Sequence, residues 1–563
     1  MHRRLYLALV GSLIAAIGLT AGASAGVKEP AGPADAQQRQ GGTVVFGQDQ
    51  EPRTLNTWVL EGNLFATTEV YTGLMDSGRR FNNRGVLISQ LIQGAPQIVR
   101  QNPFTVRFRY KAAAKWSDGT QITGRDFRAL WQTIMAKDGE NFRWDIVSRI
   151  GWEDIRAVQG NGKLVTVVFT KPYAIWDALV GSGPIPAHAI AGENFNQLWR
   201  NNITNKAGRP VGSGPYILTS WQRGQQITLA RNPNYWGRRA YLNQIIYRQV
   251  PNTQTQFQAL RAGELNVLRP QFQLAVQEIM RDNRFNVQMG PEYVWEHLDF
   301  QMGENGHPAL KRAFVRKAIA TAINRQQIAN NLFRPVVNNL PVLQNVFFKN
   351  FESRYRNNWG TGPNRIVFSQ RNAIQILRSN GCTGGPATPR AGNRDIYSCP
   401  GVGRLEFEYT TNLGANERRA LMFQIVRQQL LSVGIQVNAD SIPSLAPKIT
   451  NGDYTGIANF AWVGSPVTWV TSGNIYGCGK PQNWMRYCNA QVTRLLDRVT
   501  SVTNEAQQNA ILNTVDNILV RDIPTLPIFA APGFAINRTN VRNVLRNPTN
   551  ASLFWNAGNW FIQ

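Results

Sequence analysis

The segment Val211–Trp236, VGSGPYILTSWQRGQQITLARNPNYW, restricts the possible folds of this chain more than any other. Gly212, Ser213, Gly214 and Pro215 form a turn cluster. Pro215 has no amide hydrogen to give to a sheet ladder, so a strand is expected to begin only at Tyr216. Two short runs rich in Ile, Leu, Thr and aromatic residues follow, Tyr216–Trp221 and Gln226–Ala230, with Arg223-Gly224 between them as the turn. That spacing predicts a hairpin. Asn232-Pro233-Asn234 then stops the second strand and leaves Tyr235 and Trp236 for whatever packs above it.

The chain around this hairpin is long enough, at 563 residues, for three or four domains of about 150 residues or for one large two-lobed protein. With 43% hydrophobic and only 17% charged residues it is not disordered in bulk. The formal charge of +26 comes mostly from arginine, which outnumbers lysine about four to one. Such a balance suits nucleic acid, an anionic membrane or an acidic wall polymer. The basic residues are dispersed, with no run of five and no nucleic-acid motif, so nucleic acid is not an expected partner.

Arg3 and Arg4, the apolar run Leu5–Leu19 and the small-residue site Ala23-Ser24-Ala25 are the three parts of a secretory signal peptide, expected over residues 1–25. An uncleaved membrane anchor is the alternative for this apolar run. Residues 26–40 read as a disordered lead-in. The segment 1–25 carries two arginines and no acid, so the mature chain would keep a charge of +24. Four cysteines in an exported chain favour disulfides. Three pairings exist, and proximity favours Cys382–Cys399 with Cys478–Cys488. A zinc site would need a closer, C-x-x-C-like spacing.

Along the chain, Thr43–Gly47 reads as a strand and Asn63–Met75 as a helix. Thr123 with Asp126 makes a capping box for a helix over Arg125–Met135, and Asn161-Gly162 reads as a turn between two strands. Thr253–Ala262 reads as a helix stopped by Gly263. Arg404–Thr410, Asn416–Val433 and Ile435–Ala439 read as strand, helix, strand, which predicts parallel pairing of the two strands. Ligands of such units sit at the carboxyl ends of the strands.

Gly212, Ser213, Gly214, Pro215, Tyr216, Trp221, Arg231, Asn232, Pro233, Tyr235 and Trp236 match, ungapped, a G-[ST]-G-P-Y and R-N-P-x-Y-W signature. On these residues the chain resembles the dipeptide, oligopeptide and nickel type of extracellular solute-binding proteins (family 5, cluster C), the receptors of ABC importers. Trp116-Ser117-Asp118-Gly119, Phe314–Arg325 and Ile523–Phe529 match further family motifs, so the resemblance spans about residues 41–561. It implies an α/β, bilobed periplasmic-binding-protein-like fold of type II with an extra small domain inserted in the first lobe. The first lobe would comprise 41–76, 189–295 and 526–563, the insert 77–188, and the second lobe 296–525. Phe285–Phe300 would cross between the lobes.

The resemblance also implies where a solute would bind. Glu61, Gly62 and Asn63 would meet its leading end, although Glu61 and Asn63 could equally cap the next helix. Tyr293 and Trp295 on the crossover would face the cleft, as would Trp462, Val463, Gly464 and Ser465, with Trp469 and Trp484 as further aromatic candidates. In peptide-binding members this last segment ends W-x-x-D, and the aspartate pairs with the peptide's α-ammonium. Ser465 stands there instead, so either Asp453 or Glu296 substitutes or the solute has no free ammonium at that end. Arg486 is a second-rank candidate for a solute carboxylate, and His297 beside Glu296 a weak metal ligand expected to lie on the surface.

No cofactor or metal is expected, the nickel or haem site that the resemblance allows being only weakly supported, by His297 beside Glu296. The receptor's partners would be a peptide or other small solute, permease transmembrane subunits with a cytoplasmic ATPase, and an anionic membrane or wall surface; it is expected to act as a monomer. Many members carry a lipid on a cysteine just after the signal, but the first cysteine here is Cys382, so a periplasmic or secreted protein not anchored in that way is expected. Two rival classes are a secreted hydrolase and a cationic surface adhesin or chaperone. For the hydrolase the mature chain lacks G-x-S-x-G and H-E-x-x-H motifs, and the adhesin needs charge gathered on one face.

Overall fold

Ten strands share one sheet in the order 216–222, 226–231, 244–249, 43–48, 267–268, 525–538, 285–300, 457–462, 406–411 and 436–441. The computed structural model describes residues 40–270, 276–334, 336–414, 416–443 and 447–563. The expected signal peptide and nearly all of the lead-in lie outside these residues. Among the described residues no helix is long and apolar enough to cross a membrane.

Two strands at the middle are far longer than the rest. The crossing strand Phe285–Phe300 has 16 residues and the returning strand Thr525–Arg538 has 14, and they pair antiparallel. The returning strand, TLPIFAAPGFAINR, is buried along nearly its whole length, as a strand with neighbours on both sides and cover on both faces should be. Both strands contain proline, which cannot donate to a ladder and is tolerated at bulges. Pro291 pairs with Pro532, and the register then jumps to Trp295 opposite Ala530; a second shift falls where Pro527 meets His297. Glu292, Tyr293 and Val294 are left out of the ladder. On one side of this break the returning strand pairs with Val267–Leu268, and on the other the crossing strand pairs with Ile457–Trp462.

The hairpin is present as Tyr216–Gln222 and Gln226–Arg231, and Gly224 at its turn has φ of +73°. Its signature residues hold the structure together around it. Asn232 Nδ2 donates to Gly214 O at 2.9 Å, Trp236 Nε1 to Ser213 O at 2.9 Å and the Tyr235 hydroxyl to Asp76 Oδ2 at 2.9 Å. A separate antiparallel sheet, in the order 97–100, 105–109, 164–169, 155–159, packs with the capped helix Gly124–Ile134 over Phe108, Phe127 and Trp152. Here the turn expected at Asn161-Gly162 takes its positive φ one residue earlier, at Gly160 (+97°). The Trp116–Gly119 motif is structural: Ser117 Oγ donates to Pro210 O at 2.7 Å and Asp118 meets His188 at 2.7 Å.

In the second half, Glu406–Thr411 and Gln436–Ser441 pair in parallel around the helix Glu417–Leu431. Asn416 caps that helix by accepting from Arg419 N, and Gly434 follows it with φ of +77°. The helix expected at Asn63–Met75 runs Phe65–Leu74, after a 3-10 turn at Leu60–Gly62. Neither Glu61 nor Asn63 caps it; the N-cap is Leu64, with no side-chain bond. Both favoured disulfides form, Cys382–Cys399 and Cys478–Cys488, closing separations of 17 and 10 residues. Replacing either pair with serine should cost about 3 kcal/mol by the loop-entropy argument. Denaturant titration of each double variant tests this, and an unchanged midpoint would show that the bridge constrains nothing.

Candidate functional site

The break in the long strands opens onto two cavities that share Asn63, Trp462, Val463 and Asn550 as walls. One, of about 270 Å³, is bounded by Glu292, Ala531, Pro532 and Gly533 at the break, by the start of helix Phe65–Leu74, and by Arg269, Arg418 and Arg419. The other, of about 300 Å³, reaches Tyr293, Trp295, Lys349, Ser465 and Trp469. Gly533 is required by close approach: a Cβ there would stand 1.7 Å from the Glu292 carboxyl.

Strand alternation sorts the chemistry between the two faces of the sheet. Trp295, His297 and Asp299 share one face with their partners Trp462, Phe460 and Ala458. The Trp462 and Trp484 rings stack at 4.7 Å, Trp295 lies 4.6 Å from the His297 ring, and Lys349 Nζ sits 4.6 Å over Trp295. The opposite face presents Glu296 and Asn459. Glu296 is fully buried and pairs with both Arg418 and Arg419, the latter at 3.1 Å, while Asn459 Nδ2 donates to it at 3.1 Å. Burial alone would raise its pKa, but Arg419 and Arg418 outweigh that and hold the carboxyl below its ordinary value.

Two expected substitutes for the missing aspartate therefore fall away. Glu296 is committed to two guanidinium groups, and Asp453 is exposed and lines neither cavity. His297, expected at the surface, is fully buried between aromatic rings, because position 297 points to the packed face. Among the described residues no group of three or more His, Cys, Asp or Glu could hold a metal. Arg486 is exposed and donates to Asn451 O at 2.6 Å, away from both cavities.

The other sequence-derived positions converge. Asn63, Trp462 and Val463 line both cavities; Gly464, Ser465, Tyr293, Trp295 and Trp469 line the second, and Trp484 the first. Glu61 stands apart, paired with Arg200. Sequence reasoning missed Arg269, Glu292, Arg418, Arg419, Lys349 and Asn550. The Glu417-Arg418-Arg419 run just past a strand and its Asn cap was a usable signal; Lys349, in a loop, offered none.

Glu292 is buried against Arg269 at 2.7 Å and Arg546 at 3.7 Å, yet burial still raises its pKa above the ordinary range. Behind it, fully buried Glu69 accepts from Gln48 Nε2 at 2.7 Å, and burial pushes its carboxyl up to about 7. A carboxyl raised in the folded state contributes stability fully present below its unfolded pKa of about 4.5 and lost as pH rises through about 7. The melting temperature should thus fall between about pH 4.5 and about pH 7, and Glu69→Gln should flatten that slope. A parallel slope in the variant would remove Glu69 as its source. Glu296→Gln, which leaves two buried guanidinium groups without their carboxylate, should cost about 3–5 kcal/mol in urea denaturation; a loss below about 1 kcal/mol would mean the arginines re-pair elsewhere.

Two long paired strands thus present an aromatic and charged pair of cavities at their break. The chain belongs to the bacterial extracellular solute-binding proteins, family 5, whose model matches residues 97–483. It is 25% identical over 464 residues to the oligopeptide-binding protein OppA of Mycobacterium tuberculosis, covering 79% of this chain and 72% of that one. Its fold is similar to that of the periplasmic EDTA-binding protein EppA, with TM-score 0.81, 21% identity and coverage of 94% and 97%. It is also similar to the oligopeptide-binding protein AppA of Bacillus subtilis in complex with a nonapeptide, with TM-score 0.80, 18% identity and coverage of 94% and 100%.

Proposed function

We propose that this protein is the extracytoplasmic receptor of an ABC importer, capturing a peptide or peptide-like solute across Trp462 and delivering it to a membrane permease whose cytoplasmic ATPase drives uptake. The observation that carries this reading is the wall shared by the two cavities: Trp462, Val463, Asn63 and Asn550 let one elongated solute run through both. Relatives named for oligopeptide binding support the peptide class. The likeness to an EDTA-binding protein shows that the same fold serves a non-peptide polyanion as well.

In this reading the lobes divide as 41–76, 189–295 and 526–563 against 296–525, with 77–188 as the inserted unit and residues 292–294 at the hinge. Closure would be driven by contacts the solute makes only in the closed state. The protein acts outside the cytoplasmic membrane as a monomer, with its positive charge favouring anionic lipid or wall polymer. His188 meets Asp118 at 2.7 Å, the buried His297 lies 3.5 Å from Asp299 among aromatic rings, and His307 Nδ1 accepts from Ala309 N at 3.1 Å.

Native mass spectrometry of the protein purified from its host without refolding should reveal a co-purified solute that is released on denaturation. Trp462→Ala should lower affinity for that solute about tenfold or more, as loss of a central aromatic contact does. Wild-type affinity in the variant, or a solute bound on the far side of the small unit, would overturn the reading.

A further inference from the structure

The 300 Å³ cavity has a charge character opposite to that of an ammonium site. Among the described residues lining it, Lys349 is the one charged side chain. Its other polar walls are neutral: Ser465, Thr468, Asn474 and Gln482, with Tyr293, Trp295 and Trp469 as the large rings. Lys349 is only 4% exposed. Its Nζ donates to Val346 O at 3.2 Å and lies over the Trp295 ring at 4.6 Å. An ammonium group has three donors, of which that carbonyl takes one.

Two acids attract the charge of this lysine from outside the cavity lining, Glu352 and Asp516. Glu352 Oε2 accepts from the Lys349 backbone amide at 2.6 Å. Asp516 accepts from Trp359 Nε1 at 3.0 Å, Asn358 Nδ2 at 2.7 Å and Val346 N at 3.3 Å. Ser465, at the position where a peptide-binding cleft would present its aspartate, turns inward: its amide donates to Thr468 Oγ1 at 2.7 Å and the two hydroxyl oxygens lie 3.1 Å apart. A solute ammonium entering here would meet a like charge as the one charged group of the lining. A carboxylate would meet an opposite charge and several neutral donors.

We propose that this cavity receives a carboxylate of the solute, with Lys349 as its counter-charge and the Ser465–Thr468 turn beside it. The inference rests on the receptor reading above and reverses the polarity expected of a cleft with an acid at position 465. The solute's opposite end then passes Trp462 into the 270 Å³ cavity, lined by Asp49 and Glu292 beside Arg269, Arg418 and Arg419. Burial lowers the lysine's pKa to about 8 despite Glu352 and Asp516, so a bound carboxylate would also keep it charged near neutrality.

The test is calorimetry on the mature protein with pooled hexapeptides in three forms: free acid, C-terminal amide, and the amide carrying an N-terminal succinyl group. The free-acid and succinylated pools should bind, and the plain amide pool should bind about tenfold more weakly or worse. Lys349→Met should erase that difference, and Ser465→Asp, which leaves the lysine in place, should shift preference toward the amide pool with its free ammonium. Equal binding of acid and amide pools by the wild type would overturn the proposal. Where no peptide pool binds, the peptide reading falls, and glutarate, citrate and N-acetylglutamate decide the carboxylate site by thermal shift. A shift lost in Lys349→Met then upholds it; no shift overturns it.

Discussion

A missing amide hydrogen organises this molecule. Pro291 faces Pro532 across the two longest strands, and neither can complete the ladder at that point. The strands continue past the gap because their flanks pair well, Phe285 to Pro291 on one side and Trp295 to Asp299 on the other. Between these stretches Glu292, Tyr293 and Val294 leave the ladder and turn their side chains to the cavities. The site is thus placed where the sheet fails. The same local weakness gives the long strands a place to bend, which continuous hydrogen bonding would resist.

Alternation along Trp295–Asp299 then gives the sheet beside the cleft two unlike faces. Trp295 and His297 meet rings, with Asp299 3.5 Å from the His297 Nε2, whereas Glu296 meets two guanidinium groups and an amide. A one-residue slip would drive Glu296 among aromatic rings and expel Trp295, so the buried charge pins the register as firmly as the packing does. Its net contribution to stability is a separate matter, since desolvating one carboxylate and two arginines offsets much of their attraction. The cluster specifies an arrangement in which Arg418 and Arg419 reach the cleft wall from the first turn of their helix.

What could be read from the chain alone followed the range of the interactions involved. The hairpin, the capping box at Thr123, the strand–helix–strand unit and both disulfides depend on neighbours a few to some thirty residues apart, and turn chemistry or proximity displays them. The cleft positions at Trp462–Ser465 were legible only through family resemblance. Glu61, Glu296 and His297 were misjudged because their partners are Arg200, Arg418 with Arg419, and rings of another strand, separations that no local pattern encodes. Lys349 carries no periodic or motif signal; it acquires significance from the cavity that distant segments close around it.

The returning strand has a consequence for how such a chain can be made. Thr525–Arg538 lies between Val267–Leu268 and Phe285–Phe300, so a central strand of the sheet is supplied only after more than five hundred residues have been delivered. Both disulfides close within 382–488, before that strand emerges, and each bridge joins cysteines of one local loop. Oxidation can therefore finish in the second half without committing the two lobes to each other. Assembly of the whole sheet is a late, high-contact-order event that awaits the far end of the polypeptide. A chain threaded slowly across a membrane would carry an unfilled sheet edge until then, and that interval is when it is most open to aggregation or to a chaperone.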